Sequence, residues 1–480
     1  MSSGSDFVQH IASREEDFSR WYTDVILKTD LVDYSDVRGC MVIKPYGYGI
    51  WELIQKELDA RFKATGHKNA YFPLFIPESL LKKEAEHIEG FAPEVAWVTR
   101  GGSEELTERL VVRPTSETII CSMYAKWIHS YRDLPVLINQ WCNVVRWEKT
   151  TRPFLRTSEF LWQEGHTVHA TEEEAQEETL KMLDVYVEFN KNVLAVPVIK
   201  GQKTEKEKFA GARATYTMEA MMQDGKALQM GTSHDLGQNF AKVFDIQFLD
   251  KDGQLKYGWQ TSWGVSTRMI GGIIMVHGDE RGLALPPKVA PTQVVVLPIA
   301  QHKPGVLEKA RELTERLLKS GLRAEIDERE GQSAGWKFNE WEMRGVPIRV
   351  EIGPRDIEKG EVVAVRRDDL QKTVLPMEGV EKALTEMLEL VHQGMYDKAL
   401  AFRDSRIFTA TDFDEFNKAV NARQGFAKAM WCGERECEDA IREKTGATAR
   451  CIPFEQEKIS DKCVCCGKKA KHMMYFGKSY

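Results

Sequence analysis

Two stretches of the 480-residue chain carry side chains whose types and spacing suit chemistry. The first, residues 138–166, reads INQWCNVVRWE, then KTTRPFL, then RTSEFLWQEGH. Its outer segments predict two strands joined by a polar, proline-bearing connection. Alternate side chains of a strand share a face. Arg146 and Glu148 therefore point one way on the first strand, and Phe160, Trp162, Glu164 and His166 point together on the second. One face gathers a cation, two large aromatics, two carboxylates and an imidazole, a set that suits a ligand platform better than the wetted side of an ordinary sheet. A planar guanidinium binds carboxylate or phosphate oxygens through parallel hydrogen bonds, so Arg146 points to an anionic substrate. The second stretch is the tail, where Cys432 and Cys437 enclose four residues and Cys463 and Cys466 enclose two. Two short-spaced thiolate pairs are what a closed tetrahedral zinc site requires. Cys465 is an alternative to Cys466, although the small residue Gly467 after Cys466 favours the latter. Cys451, between apolar neighbours, reads as a core residue.

These side chains need elements to hold them. Residues 18–285 alternate short strands and helices irregularly, with mostly antiparallel pairing. A break follows at LALPPKVAPTQ (283–293), where three prolines interrupt regular structure. Beyond it VVVLPIA, a helical pattern at 305–320, RAEIDER, a second helical stretch at 337–344 and VPIRVEIG form a small α/β unit. The predicted units are 1–286, 287–398 and 399–480. A composition of 42% hydrophobic and 29% charged residues is that of a soluble globular protein. The net charge of −7 disfavours nonspecific binding to polyanions, so any nucleic-acid contact needs a local basic patch, and no DNA partner is expected. The first 20 residues lack an apolar signal core, and no run is long enough to span a bilayer. A cytoplasmic protein without a membrane partner is the expectation.

The RWE strand followed by a loop and RTSEF resembles motif 2 of the class II aminoacyl-tRNA synthetases. VVRPTSET, FLRTSEFLWQEGH, KTEKEKFAGA, GTSHDLGQNF, TSWGVSTR and MVHGDERGLALPP are together similar to the prolyl branch of that family, in its archaeal and eukaryotic type. The short separation of His166 from Gln229 leaves no room for the large editing insertion of typical bacterial relatives. The resemblance implies an α+β fold: an antiparallel catalytic domain, an α/β anticodon-binding domain and a small α+β zinc domain. It also implies an activity, ATP-dependent activation of L-proline and its transfer to tRNA(Pro), with Mg²⁺ accompanying the nucleotide and a structural Zn²⁺ in the tail.

Residue by residue, the resemblance gives Arg146 and Arg268 the catalytic role. Arg146 would touch both the α-phosphate and the proline carboxylate, and Arg268 would clamp the γ-phosphate against Phe160 and the adenine ring. Glu148, Arg156 and Thr157 match the adenine and phosphate end of the ATP site, and Gln229, Thr232 and Ser266 match ribose and phosphate contacts. Thr115 and Glu117 would hold the secondary ammonium of proline, since a buried cation needs a carboxylate. Trp162, Phe209 and His234 would wall the ring, with Glu164 and His166 behind. The sequence PTSET also reads as a helix start, with Thr115 or Ser116 as N-cap before a helical pattern at 118–130, and both readings can hold together.

PYGYGIWELIQKELDARFKATGHKNAYFPLFIP resembles the dimer-forming motif 1, which implies a homodimer. Ile50, Ile54, Leu58 and Phe62 recur every fourth residue, as they also would in a plain core helix. The order Arg213, Ala214, Thr215, Tyr216, Thr217 after KFAGA departs from the pattern beside the proline pocket. The end of the core differs slightly as well, with Glu280 and Arg281 in HGDERGL, and Arg281 is not assigned to ATP. WKFNEWEMRGVPIRVEIGPRDIE resembles the anticodon-binding domain, and implies that Glu342, Arg349 and Arg355 read anticodon guanines. The tail resembles the zinc domain of this synthetase type, which ends, as here, in a tyrosine whose carboxylate reaches toward the active site.

Overall fold

Two segments with alternating apolar and polar side chains pair antiparallel as Val136–Val145 and Glu159–His169, in a register running from Val136 opposite Val168 to Val145 opposite Glu159. They form the centre of the fold in this computed structural model, which describes residues 11–85, 94–422 and 424–480. Trp259–Ser266, Ala227–Gly237, Ala214–Met221 and Val198–Gln202 extend the sheet antiparallel on one side. The two-residue strand Lys68–Asn69 closes the other side in parallel.

One face of this sheet is covered by helix Glu172–Asn192, which turns Met182, Leu183, Tyr186 and Phe189 inward. Its start is defined chemically: Thr171 accepts the Glu174 N–H, and three glutamates occupy the positive first turn. Helix Pro45–Ala64 buries Ile50, Ile54, Leu58 and Phe62 in the same core. That apolar stripe therefore packs within the chain, as in a plain core helix. Helix Arg268–His277 is apolar nearly all round and is correspondingly buried.

The PTSET helix spans Glu117–Trp127, shorter than its sequence pattern. Ser116 is at the N-cap position, but its side chain makes no capping bond. Its hydroxyl instead accepts from Gln140 Nε2, and its N–H donates to Glu164. The helix start is thus tied to the strand that carries the site.

After the proline break, Val294–Pro298, Ala324–Ile326 and Ile348–Ile352 pair in parallel, and Glu361–Arg366 and Lys372–Pro376 complete a five-stranded mixed sheet. Helix Val380–Ser405 follows and runs unbroken through position 398, where the sequence reading divides the second unit from the third.

The C-terminal segment is α+β, as expected, and its strands join the sheet of the first unit. Strand Thr448–Pro453 pairs with Val198–Gln202, so Ile407–Ala410, Phe426–Trp431, His472–Gly477 and Thr448–Pro453 continue the core sheet to eleven strands. Among the described residues no helix is long and apolar enough to cross a membrane.

The close approach of the central strands requires Gly165. A Cβ there would lie 2.2 Å from the ring of Trp263, which is 1% exposed. Gly165→Ala is expected to destabilise the protein by about 1–3 kcal/mol through overpacking, read as a lowered midpoint of thermal unfolding by circular dichroism.

Candidate active site

The exposed face of the central sheet opens into a cavity of about 320 Å³. Phe160, Trp162, Glu164 and His166 line it in strand alternation, as the sequence predicts. Arg146 and Arg268 line the same space. Strand Val136–Val145 ends one residue before Arg146, and alternation ends with it. Glu148 consequently leaves the cavity lining and faces Arg156 across 3.9 Å, both partly exposed. Thr157 is likewise outside, in a neighbouring depression on the far side of Phe160.

Arg146 is anchored through Nε to the Pro114 carbonyl at 3.0 Å, and Arg268 through Nε to the Leu155 carbonyl at 3.1 Å. Among the described residues these bonds engage only Nε, which leaves the terminal nitrogens of both forks for ligand oxygens. Arg146 is solvent-exposed and Arg268 half-buried at the cavity wall, and the protein atoms packed around each guanidinium lower the pKa of both. Each cation is therefore better stabilised once an anion arrives. Arg146 stands over Trp162 at 5.3 Å and Phe160 at 5.6 Å. Phe160 thus has the Arg146 guanidinium over its ring and shares the cavity with Arg268.

The cavity floor is a charged network. Burial alone would raise the Glu164 carboxyl, but the bond from His166 Nε2 at 2.8 Å, the imidazolium charge and Ser116 bring it down to about 2. Its other oxygen accepts from Gln140 Nε2 and Cys142 Sγ, so this carboxylate is fully engaged. Burial works against the His166 charge, but Glu164 and then Glu117 raise its pKa.

Glu117 differs. It is 4% exposed and accepts from the Thr115 hydroxyl at 2.7 Å. Among the described residues it forms no ion pair, and burial raises its carboxyl pKa. A buried acid with no cation of its own is a receptor for a ligand ammonium.

His234 has the opposite character. Desolvation, helped by the His166 charge, lowers it to about 3 and keeps it neutral. Thr215 and Thr232 hold its two nitrogens at 2.9 and 3.0 Å, and its ring lies 4.8 Å from that of Phe209. With Trp162 these rings make the apolar part of the cavity. Gln229, Thr232 and Ser266 line it toward Arg268.

Sequence reasoning missed Lys203, Glu207, Thr215, Ser262 and Trp263, all in the lining. Lys203 and Glu207 belong to KTEKEKFAGA, the same segment that carries Phe209. Arg213 proves structural: it binds the buried Asp235 through Nε at 2.9 Å and pairs with Glu172, which fixes the loop beside the cavity.

In the tail the sulfurs of Cys432, Cys437, Cys463 and Cys466 all lie within 4.8 Å of one another, with Cys465 outside the group. Cys432 is 3.5 Å from Cys437 and 3.8 Å from Cys466. A tetrahedron with Zn–S bonds of ~2.3 Å has sulfurs ~3.8 Å apart, so the donor set fits zinc. Gly467, with φ +71°, supplies the turn that returns its N–H to the Cys463 carbonyl. Cys451 is buried, as read from its neighbours.

The predicted anticodon residues are only partly gathered. Glu342 binds Arg349 at 2.6 Å and Arg281 at 2.7 Å, while Arg355 is exposed in the first turn of helix Pro354–Lys359. The final residue docks on the core: the Tyr480 N–H donates to the Ala227 carbonyl, and its hydroxyl meets Asp224.

Comparison with known proteins covers the same three parts. Residues 97–277 match the tRNA synthetase class II core domain (G, H, P, S and T), residues 293–387 an anticodon binding domain, and residues 413–480 the prolyl-tRNA synthetase C-terminal domain. The chain is 65% identical to the proline–tRNA ligase of Alkaliphilus oremlandii over 474 residues, 99% of this chain and 98% of that one. It is 63% identical to the proline–tRNA ligase of Ruminiclostridium cellulolyticum over all 480 residues, 100% of both chains. It is 60% identical to proline–tRNA ligase 2 of Bacillus cereus over 473 residues, 98% of this chain and 99% of the relative.

The Glu164–His166 pair sets a pH window. Glu164, held down to about 2, contributes stability above its ordinary 4.5 that is lost on acidification. His166, held up, contributes stability that is complete below its ordinary 6.5 and lost as the pH climbs through its raised value. His166→Gln should therefore lower the thermal midpoint most between pH 4.5 and 6.5, with the gap to the unmodified protein narrowing on either side. A gap independent of pH would refute the charged pair.

Proposed function

The chain belongs to the prolyl-tRNA synthetases, ligases that activate proline with ATP and transfer it to tRNA, and on that premise we propose how its cavity divides the work. The observation that carries the assignment is the joint placement of Arg146, Arg268 and the unpaired acid Glu117 around one space. In the first step a carboxylate oxygen of proline attacks the α-phosphorus of ATP, an O–P bond forms, and pyrophosphate leaves. Two anions must meet, so preorganised cations lower the barrier. Arg146 binds the proline carboxylate and the α-phosphate, and Arg268 binds the γ-phosphate. The nucleophile is already ionised, so no protein base is needed, and catalysis consists of positioning and electrostatics.

Glu117 and Thr115 receive the secondary ammonium, and Trp162, Phe209 and neutral His234 enclose the ring. Glu164 and His166 act from behind as a closed pair that adds no competing charge to the pocket. Phe160 carries the adenine ring, with Gln229, Thr232 and Ser266 on ribose and phosphates. Glu148, Arg156 and Thr157, at the margin of the cavity, are assigned to the outer end of the nucleotide. Mg²⁺ carried by the triphosphate supplies further neutralisation of its charge. In the second step a terminal ribose hydroxyl of tRNA(Pro) attacks the activated carbonyl, an ester forms, and AMP leaves.

The four thiolates Cys432, Cys437, Cys463 and Cys466 hold a structural zinc ion. Glu342, Arg349 and Arg355 are assigned to anticodon recognition, supported by the ready-made Glu342–Arg349 pair and the exposed Arg355. A homodimer is supported by the hairpin around Val32–Ile43, which leaves Tyr34, Val37 and Val42 more than half exposed. Cytoplasmic residence fits a tRNA substrate.

Proline-dependent exchange between pyrophosphate and ATP tests the assignment. Arg146→Ala should lower kcat/KM on the order of 100- to 1,000-fold, the usual loss for one preorganised transition-state donor. Normal exchange in this variant would overturn the role of Arg146, and no exchange in the unmodified enzyme would overturn the whole reading. Elemental analysis should find one zinc per chain, and Cys437→Ser should reduce that ratio and the thermal midpoint together.

A further inference from the structure

Three contacts join the cysteine-bearing C-terminal unit to the rim of the proline cavity, and none is explained by metal binding or by the chemistry assigned above. The first is a buried triad. Glu219 is fully buried and takes Lys203 Nζ on one oxygen at 2.9 Å, and Arg450 Nε and Nη2 on the other at 3.0 and 2.7 Å. Lys203 lines the cavity. Burial would raise the Glu219 carboxyl, but Arg450 and Lys203 hold it down to about 2. The second is a bond from the Thr204 hydroxyl to Glu438 Oε2 at 3.0 Å, between side chains that are both buried. The third is the Lys206–Asp439 pair at 2.5 Å.

Glu438 and Asp439 lie in helix Arg435–Thr445, directly after Cys437 of the cysteine cluster. The segment they grip is the one that delivers the cavity wall. The Thr204 carbonyl accepts the N–H groups of Glu207 and Lys208, closing a turn, and the Phe209 N–H is bound by Thr215. That turn brings Glu207 and Phe209 into the lining. A chain segment on a cavity rim samples many conformations unless its ends are fixed, and here the fixing groups come from more than 230 residues away.

We propose that Glu438 and Asp439 are positioning residues for proline binding: through Thr204 and Lys206 they hold the 203–209 segment in the shape that walls the imino-acid ring. This rests on the assignment of the cavity to proline. It separates the two substrates, because the segment borders the ring and leaves the nucleotide contacts untouched. Disturbing it should weaken proline binding with little effect on ATP.

The test compares full-length unmodified enzyme with Glu438→Ala, the double variant Glu438→Ala/Asp439→Ala, the isosteric Thr204→Val and the conservative Glu438→Gln, which keeps an oxygen to accept the Thr204 hydroxyl. Pyrophosphate exchange gives KM for proline and for ATP separately, and hydrogen exchange reports on the amides of 203–212. Loss of one buried bond to a carboxylate, about 1.4 kcal/mol, corresponds to a rise in proline KM of about tenfold. That rise is expected for Glu438→Ala and Thr204→Val, larger for the double variant, with ATP KM within about twofold and faster amide exchange in the segment. Glu438→Gln should restore proline KM to near the unmodified value, and zinc content should be equal in all forms. An unchanged proline KM in Thr204→Val and the double variant overturns the proposal. So does a parallel loss for both substrates that Glu438→Gln fails to relieve, which is the signature of a merely structural contact. Absence of proline-dependent exchange in the unmodified enzyme would instead strike the assignment of the cavity.

Discussion

Charges removed from water must be paired, and that constraint organises the protein. On the cavity floor Glu164 is satisfied four times over, by His166, Ser116, Gln140 and Cys142, whereas neighbouring Glu117 is left with one hydroxyl. The two acids are of one chemical type and lie close together, but the first is part of the scaffold and the second is a vacancy for a cation. Because His166 is paired with Glu164, Glu117 is the acid of the floor left to receive a cation. Arg146, anchored by a single Nε bond, supplies the opposite pole. A zwitterionic ligand fits between them, with its ammonium toward one and its carboxylate toward the other.

The sheet that bears this floor is also the means by which distant segments reach it. Strand Glu159–His169 has neighbours on both sides, so its side chains have little freedom to shift. The register with Trp259–Ser266, set by Gly165 fitting against Trp263, brings Ser266 and Arg268 to the same side of the cavity as Trp162. The added C-terminal strands make the far edge of that sheet continuous with the cysteine-bearing unit.

Much of this was legible because the chemistry is local. Strand alternation predicted Phe160, Trp162, Glu164 and His166 on one face, and cysteine spacing predicted the four sulfurs that the fold gathers, of Cys432, Cys437, Cys463 and Cys466. Alternation failed at Glu148 because a sequence pattern does not reveal that the strand ends at Val145, three residues earlier. The apolar stripe of Ile50, Ile54, Leu58 and Phe62 marked a helix correctly but could not name its partner, which proves to be the chain's own core. Lys203, Glu219 and Arg450 were invisible as a set: each is an ordinary surface type, and only a strand pairing across more than 200 residues makes them neighbours. The Arg213 departure likewise acquires meaning only when Asp235 and Glu172 come within reach.

The eleven-stranded sheet has one further implication. Strand Val198–Gln202 is interior only because Thr448–Pro453 covers it. A chain that stopped after the anticodon-binding unit would present that strand as a raw, hydrogen-bond-hungry border and would strand half of the charge around Glu219 without its arginine. The strand that seals the edge of the first domain thus comes from the C-terminal unit, so the integrity of the one depends on the presence of the other.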